Sequence, residues 1–313
     1  MAQPTSPPAE PAVADEAAPG RTDGSDAAGL GRLRAALFVT PALLIIGVFL
    51  VFPALWTLYL GVTDYRLTGI AAARPSFVGF ANYVRALTDP LFHNALWLTL
   101  LFVFGSAIIG QTVLGFGLAW TLRSAPRWVR GTVESLVLLA WILPGVVVAF
   151  LWIALLDSDR GTLNALLGTA GHAWLVDNPM TVLIVFNTWR GTAFSMMLFA
   201  AALAALPPSQ LETARLAGAS GWQTVRDVVL PHLRRHLLTN TLLISLWTFN
   251  DFTPYLITAG NPDHRSEVLP VYIYLTAIPG GQLGFGSAIS LLMLVINLAL
   301  AFFYLRLLRE RRS

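Results

Sequence analysis

The sequence predicts an all-α, polytopic membrane protein with six transmembrane helices and a helical loop between spans four and five. Three observations carry that expectation. Of 313 residues, 56% are hydrophobic and only 12% charged, about half the charged share of a soluble domain. Six apolar runs each approach the roughly 20 residues needed to cross the hydrocarbon layer. The basic residues, all twenty of them arginine, gather in alternate connections between those runs.

Residues 1–30 hold eight Ala, five Pro, three Gly, five acids and one Arg. They show no apolar periodicity, so a disordered cytoplasmic tail is expected over 1–32, with the membrane domain occupying 33–313. The tail lacks the basic start and early apolar core of a signal peptide. The spans are expected near Ala35–Val62, Asn94–Leu122, Thr132–Leu156, Met180–Leu206, His236–Ala259 and Phe285–Leu308. Pro41, Pro53, Pro144 and Pro254 fall within them. Membrane helices tolerate proline where neighbours satisfy the freed backbone.

Fourteen arginines lie in the tail, the 123–131 loop, the 207–235 loop and the C-terminus. Five lie in the other three loops, and Arg190 is inside span four. The positive-inside rule then sets both termini in the cytoplasm of a plasma or inner membrane. The sequence pI of 9.6 follows from this topology, and a nucleic-acid partner is not expected.

The loop "SQLETARLAGASGWQTVRDVVLPHL", residues 209–233, is too long for a simple turn. Ser209 with Glu212, and Ser220 with Gln223, each fit a capping box. Gly218 between them suits a left-handed helix stop. Trp222, Val225, Val228 and Val229 follow helical spacing and are expected on one face. Pro231 marks the second helix's end or a kink. Such a pair either lies on the lipid surface or docks a cytoplasmic partner, with Trp222 as an aromatic anchor.

Catalytic chemistry finds no support. There is no cysteine, and the five histidines (93, 172, 232, 236, 264) are scattered without an H-E-x-x-H. No lysine exists to complete a phosphate-binding G-x-x-x-x-G-K loop, so the chain is not expected to hydrolyse ATP. No catalytic residue, metal site or bound cofactor is expected.

Glu212-Thr213-Ala214, three residues, Gly218, nine residues, then Val228-Val229-Leu230-Pro231 resembles the "EAA" loop of ABC importer permeases, E-A-A-x3-G-x9-I-x-L-P. Thr213 replaces the first Ala, and Ala217 stands where Asp is common. "FVGFANYVRAL" (77–87), "NTWRGTAF" (187–194), "FNDFTPYLITAG" (249–260) and "LGFGSAIS" (283–290) are similar to the carbohydrate-type members. The closest likeness is to the first permease of maltose-type and glycerol-phosphate-type systems. The resemblance implies a second permease subunit, an ATPase dimer that uses ATP, an extracytoplasmic solute-binding protein and a lipid bilayer as partners. It also implies that the loop, with Glu212, Thr213, Ala214, Gly218, Trp222, Val228, Leu230 and Pro231, is the coupling helix docking the ATPase. The expected solute is a sugar or sugar-like molecule, with glycerol phosphate as the alternative. An ion-gradient transporter is the more distant reading, since it needs several buried acids.

Charges within spans are functional candidates. Arg190 and Asp251 fall at similar depths, either as a structural ion pair or as a polar patch for solute hydroxyls. The resemblance adds Asn187, Gly191, Phe194 and Thr248 to the solute path, with Phe194 stacking on a sugar face and Asn187 and Thr248 bonding hydroxyls. Trp189 is expected to pack. Gln111, Asn240 and Asn297 are expected as interhelical amides.

Overall fold

The computed structural model describes residues 32–309; the expected 1–31 portion of the tail lies outside them. Among the described residues every regular element is helical, with one isolated antiparallel bridge, Thr63 to Phe77. The chain divides into two compact units between Ala54 and Leu55. The first unit carries the start of α1 (Ala36–Gly61), whose apolar side chains from Leu37 to Val51 are largely exposed. Pro41 stays inside this helix.

In the second unit α2 runs over Pro90–Leu122, α3 over Arg127–Ile142 and α4 over Gly145–Leu155. They are followed by α5, Pro179–Ala204, and α6, Pro208–Leu216. Next come α7 (Gly221–Thr224), α8 (Leu230–Phe249), α9 (Thr253–Thr258), α10 (Leu269–Ala277) and α11 (Leu283–Arg309). Proline sits in the first turn of α2, α5, α6, α9 and α10, where its missing N–H leaves no bond unmade. Asp89 caps α2 by accepting from Leu91 N–H at 2.9 Å, and also accepts from the Tyr272 hydroxyl of α10 at 2.7 Å.

Four helices among the described residues (α1, α2, α5 and α11) are long and apolar enough to cross a membrane. A fifth crossing is counted if α3 and α4 form one span. Two expected spans therefore differ. The expected Thr132–Leu156 helix is bent by 104° between Ile142 and Gly145. Leu143 has ψ 139°, the extended conformation that the following Pro144 imposes. The expected His236–Ala259 span is instead α8, a break at Asn250–Phe252, and α9. Pro231, His232, Arg234, Arg235 and His236 make the first turns of α8 too polar for it to count as a crossing by composition.

The centre of the second unit is α5 against α2. Within α2, Val103–Gln111 is a π-helical segment, whose i→i+5 bonding widens the turn. Glycines at five-residue steps, Gly105, Gly110 and Gly115, meet Ile184, Thr188 and Ser195 of α5. Small residues there let the two backbones approach. A Cβ on Gly115 would lie 2.8 Å from the Met196 backbone N. Overpacking of this kind costs ~1–3 kcal/mol. Gly115→Leu is therefore expected to cut the yield of assembled protein several-fold; normal yield and melting temperature would contradict this packing.

Candidate functional site

A cavity of about 400 Å³ opens where α2, α3, α5 and α8 converge. Gln111, Trp141, Asn187, Arg190, Gly191, Ile244, Trp247 and Thr248 line it, together with Asn250, Asp251 and Phe252 from the break after α8. Five of the six solute-path residues expected from sequence therefore border one space. The sixth, Phe194, is half-buried behind the wall, its ring 5.0 Å from that of Trp247 and 6.2 Å from that of Trp141.

The polar groups form two connected sets. Arg190 Nη1 donates to Thr253 Oγ1 at 3.3 Å. That hydroxyl donates to Asp251 Oδ1 at 2.6 Å, and the Thr253 N–H donates to the same oxygen at 2.9 Å. The expected direct Arg190–Asp251 pair is thus relayed through Thr253. Asp251 thereby also receives the first N–H of α9, that of Thr253. In the second set Asn187 Nδ2 donates to Ser106 Oγ at 2.7 Å and to Thr248 Oγ1 at 3.2 Å. Gln111 Nε2 donates to the Asn187 carbonyl at 3.1 Å. The π-helical segment is what aims Ser106 and Gln111 at α5. A Cβ on Gly191 would collide with the Gln111 side chain, so glycine at 191 leaves room for that amide.

Trp141, Trp247 and Phe252 supply the exposed aromatic faces of the cavity, 37%, 57% and 37% accessible. Sequence reasoning missed them, because one aromatic residue in an apolar run looks like any other. Trp189 packs outside the cavity, 5.8 Å from Trp152. The three amides bridge elements as expected: Gln111 as above, Asn240 to Thr112 at 3.4 Å, and Asn297 reciprocally with Asn250 at 3.2 Å.

The second candidate is the loop from α6 to α8. Gly218 has φ +76°, and Gly218 N–H donates to Arg215 O while Ala219 N–H donates to Ala214 O, both at 3.0 Å. This is a Schellman stop. The Ser220–Gln223 capping box is complete, with Ser220 N–H donating to Gln223 Oε1 at 2.7 Å and Gln223 N–H to Ser220 Oγ at 3.3 Å. The Ser209–Glu212 box does not form. Pro207 is the cap and Pro208 starts the helix, leaving Ser209 inside it.

The expected four-residue apolar face also divides. Val225 and Val229 are buried, whereas Trp222 is 68% exposed. A π-helical turn at Val225–Val229 shifts the phase. Val229 and Leu233 pack with Leu122, Phe199 and Leu203, tying this loop to α2 and α5. Leu216 stands 90% exposed, with Glu212 and Thr213 also exposed and Ala214 turned inward. Hydrogen bonds from Arg226 hold the Asp227 carboxyl below its ordinary range.

Residues 111–313 match the family described as "binding-protein-dependent transport system inner membrane component". The chain belongs to this family. It is a permease of an ABC transporter, a transport component rather than an enzyme. It is 30% identical over 86% of its length, and 93% of the relative's, to a probable ABC transporter permease of Pyrococcus horikoshii. It is 28% identical over 88% of its length, and 94% of the relative's, to a trehalose/maltose transport system permease of Thermococcus litoralis. A bacterial alginate ABC transporter chain, solved with an alginate pentasaccharide-bound periplasmic protein, shares the fold. Its TM-score is 0.74 at 20% identity, covering 88% of this permease and 94% of that chain. The permease fold and the multi-pass membrane location expected from sequence agree with these likenesses.

Proposed function

We propose that this permease forms half of the translocation path for a sugar or sugar-like solute. The observation that carries the reading is the cavity, which sets aromatic faces beside amide, hydroxyl, carboxylate and guanidinium groups. Sugars offer apolar ring faces for stacking and hydroxyls that both donate and accept. The trehalose/maltose name of a relative and the alginate complex sharing the fold support the same class. Trp247 and Trp141 stack the ring, and Asp251 and Arg190 bond hydroxyls. Asn187 and Thr248, engaged with each other and Ser106, hold the wall in register. A stripped solute analogue lacking one hydroxyl should lose uptake, and an uptake competition series measures it; indifference to every hydroxyl would contradict sugar recognition.

In this reading a second permease completes the path, a binding protein delivers the solute, and an ATPase dimer supplies the energy. ATP is held by the ATPase subunits and no cofactor by this chain. The α6–α8 loop is the coupling element. Closure of the ATPase dimer drags it, and its buried Val229 and Leu233 carry the motion into α2 and α5 as a rigid-body change. The chain crosses the membrane six times, with the bent α3–α4 pair as span three and α8 as span five. The loop then falls between spans four and five, with both termini cytoplasmic. A topology reporter after Asp263 is expected outside and one after Gln223 inside; a cytoplasmic signal at 263 contradicts the six-span arrangement.

A further inference from the structure

A second cavity, about 200 Å³, opens between the first turns of α8 and the last turn of α11. Pro231, Arg234, Arg235 and Leu238 line it from α8, and Leu307 and Leu308 from α11. The α8 residues follow i, i+3, i+4, i+7 spacing, so they form one stripe. Both arginines are exposed, and neither meets a hydrogen-bond or ion-pair partner among the described residues. The preceding acid on this segment, Asp227, is occupied by Arg226 at 2.7 Å. Leu238 lies one helical turn beyond Arg234, about 6 Å further along the helix axis, with Leu307 and Leu308 opposite. The cavity thus sets two guanidinium groups, unpaired among the described residues, beside an apolar wall of Leu238, Leu307 and Leu308.

We infer that this groove binds an anionic phospholipid, its phosphate held by Arg234 and Arg235 and an acyl chain laid along Leu238 and Leu307. The occupant follows from complementarity. Guanidinium groups bind phosphate through paired N–H donors. Basic pockets between membrane helices at the bilayer boundary suit anionic headgroups. A soluble anion would leave the leucine wall uncovered, and among the described residues a neutral lipid would leave both arginines without a counter-charge. The arginines belong to α8, whose Leu233 is buried with the coupling loop's Val229. A lipid here therefore rests against the segment that couples the loop to the bundle.

The test uses the complete transporter, purified with its partner subunits and placed in phosphatidylcholine bilayers with or without phosphatidylglycerol. Native mass spectrometry reads retained lipid. Two charges near the bilayer surface give a preference for phosphatidylglycerol of roughly thirtyfold, and Arg234→Gln with Arg235→Gln should bring it near parity. Leu238→Trp, which keeps both charges and fills the wall, should also release the lipid. Unchanged retention in either variant overturns the proposal. So does inorganic phosphate that displaces phosphatidylglycerol at equal concentration, because the site would then recognise phosphate alone. Loss of the ATPase subunit from the double variant with lipid retention intact would assign the arginines to a protein contact and equally overturn it.

Discussion

Gly218→Pro is expected to leave the permease in the membrane and reduce transport-coupled ATP hydrolysis by more than about tenfold. The position is sterically open: a Cβ at 218 meets nothing within 4 Å. What it demands is conformation, since its φ is +76°. Proline holds φ near −65° and carries no N–H, so it forbids the left-handed stop and deletes the bond to Arg215 O. Helix α6 would then run on or fray. Leu216 and Trp222, the exposed apolar side chains flanking the turn, would no longer point in their present directions. Gly218→Asn, which adopts a left-handed conformation more readily than other residues, should retain most coupling. Glu212→Lys reverses an exposed charge without altering the backbone and should uncouple hydrolysis by a comparable factor. Vanadate-sensitive hydrolysis stimulated by loaded binding protein, measured beside uptake, tests all three. If Gly218→Pro and Glu212→Lys both hydrolyse and transport normally, the loop is only a surface helix pair and the coupling role is wrong.

The same loop shows which features the sequence made legible. Gly218 and the Ser220–Gln223 box act through neighbours a few residues away, so their spacing alone specified the turn. Ser209 misled because Pro207-Pro208 just before it takes the helix start, and proline at the first helical position outranks a serine cap. The long spans α1, α2, α5 and α11 were readable from apolar length. The breaks were not, because proline has two outcomes in a lipid-facing run. Pro41 remains within a helix, whereas Pro144, followed by Gly145, turns the chain through 104°. The π-helical segment of α2 has no local signature beyond its five-residue glycine step. Yet it aims Ser106 and Gln111 at Asn187, and the cavity's wall depends on it. Asp251 was readable as a charge within a span, but a second task was overlooked: Asp251, Thr253 and Pro254 together spell a helix start, which ends span five early.

Removing both charges from the cavity while keeping an acceptor for the first N–H of α9 is expected to preserve assembly and abolish most uptake. Arg190→Met deletes the guanidinium at similar length. Asp251→Asn retains an oxygen to accept from the Thr253 N–H, now 2.9 Å from Oδ1. Either single change leaves one charge in a partly desolvated place without the opposite charge that Thr253 links to it, and an unpartnered charge is costly. The singles should therefore assemble worse than the double variant. If Arg190, Thr253 and Asp251 only lock α5 to α9, the double variant should recover uptake along with assembly. If they bond solute hydroxyls, it should assemble normally and transport at least about tenfold less, a single charged hydrogen bond being worth that much. Trp247→Ala should lower uptake too, through loss of a stacking face. Phe194→Ala should lower it less, since that ring supports Trp247 from behind at 5.0 Å. Uptake per assembled complex, measured over a range of solute concentrations, separates the cases. A double variant that assembles and transports at nearly the normal rate removes Arg190 and Asp251 from the solute path and leaves them as a structural relay.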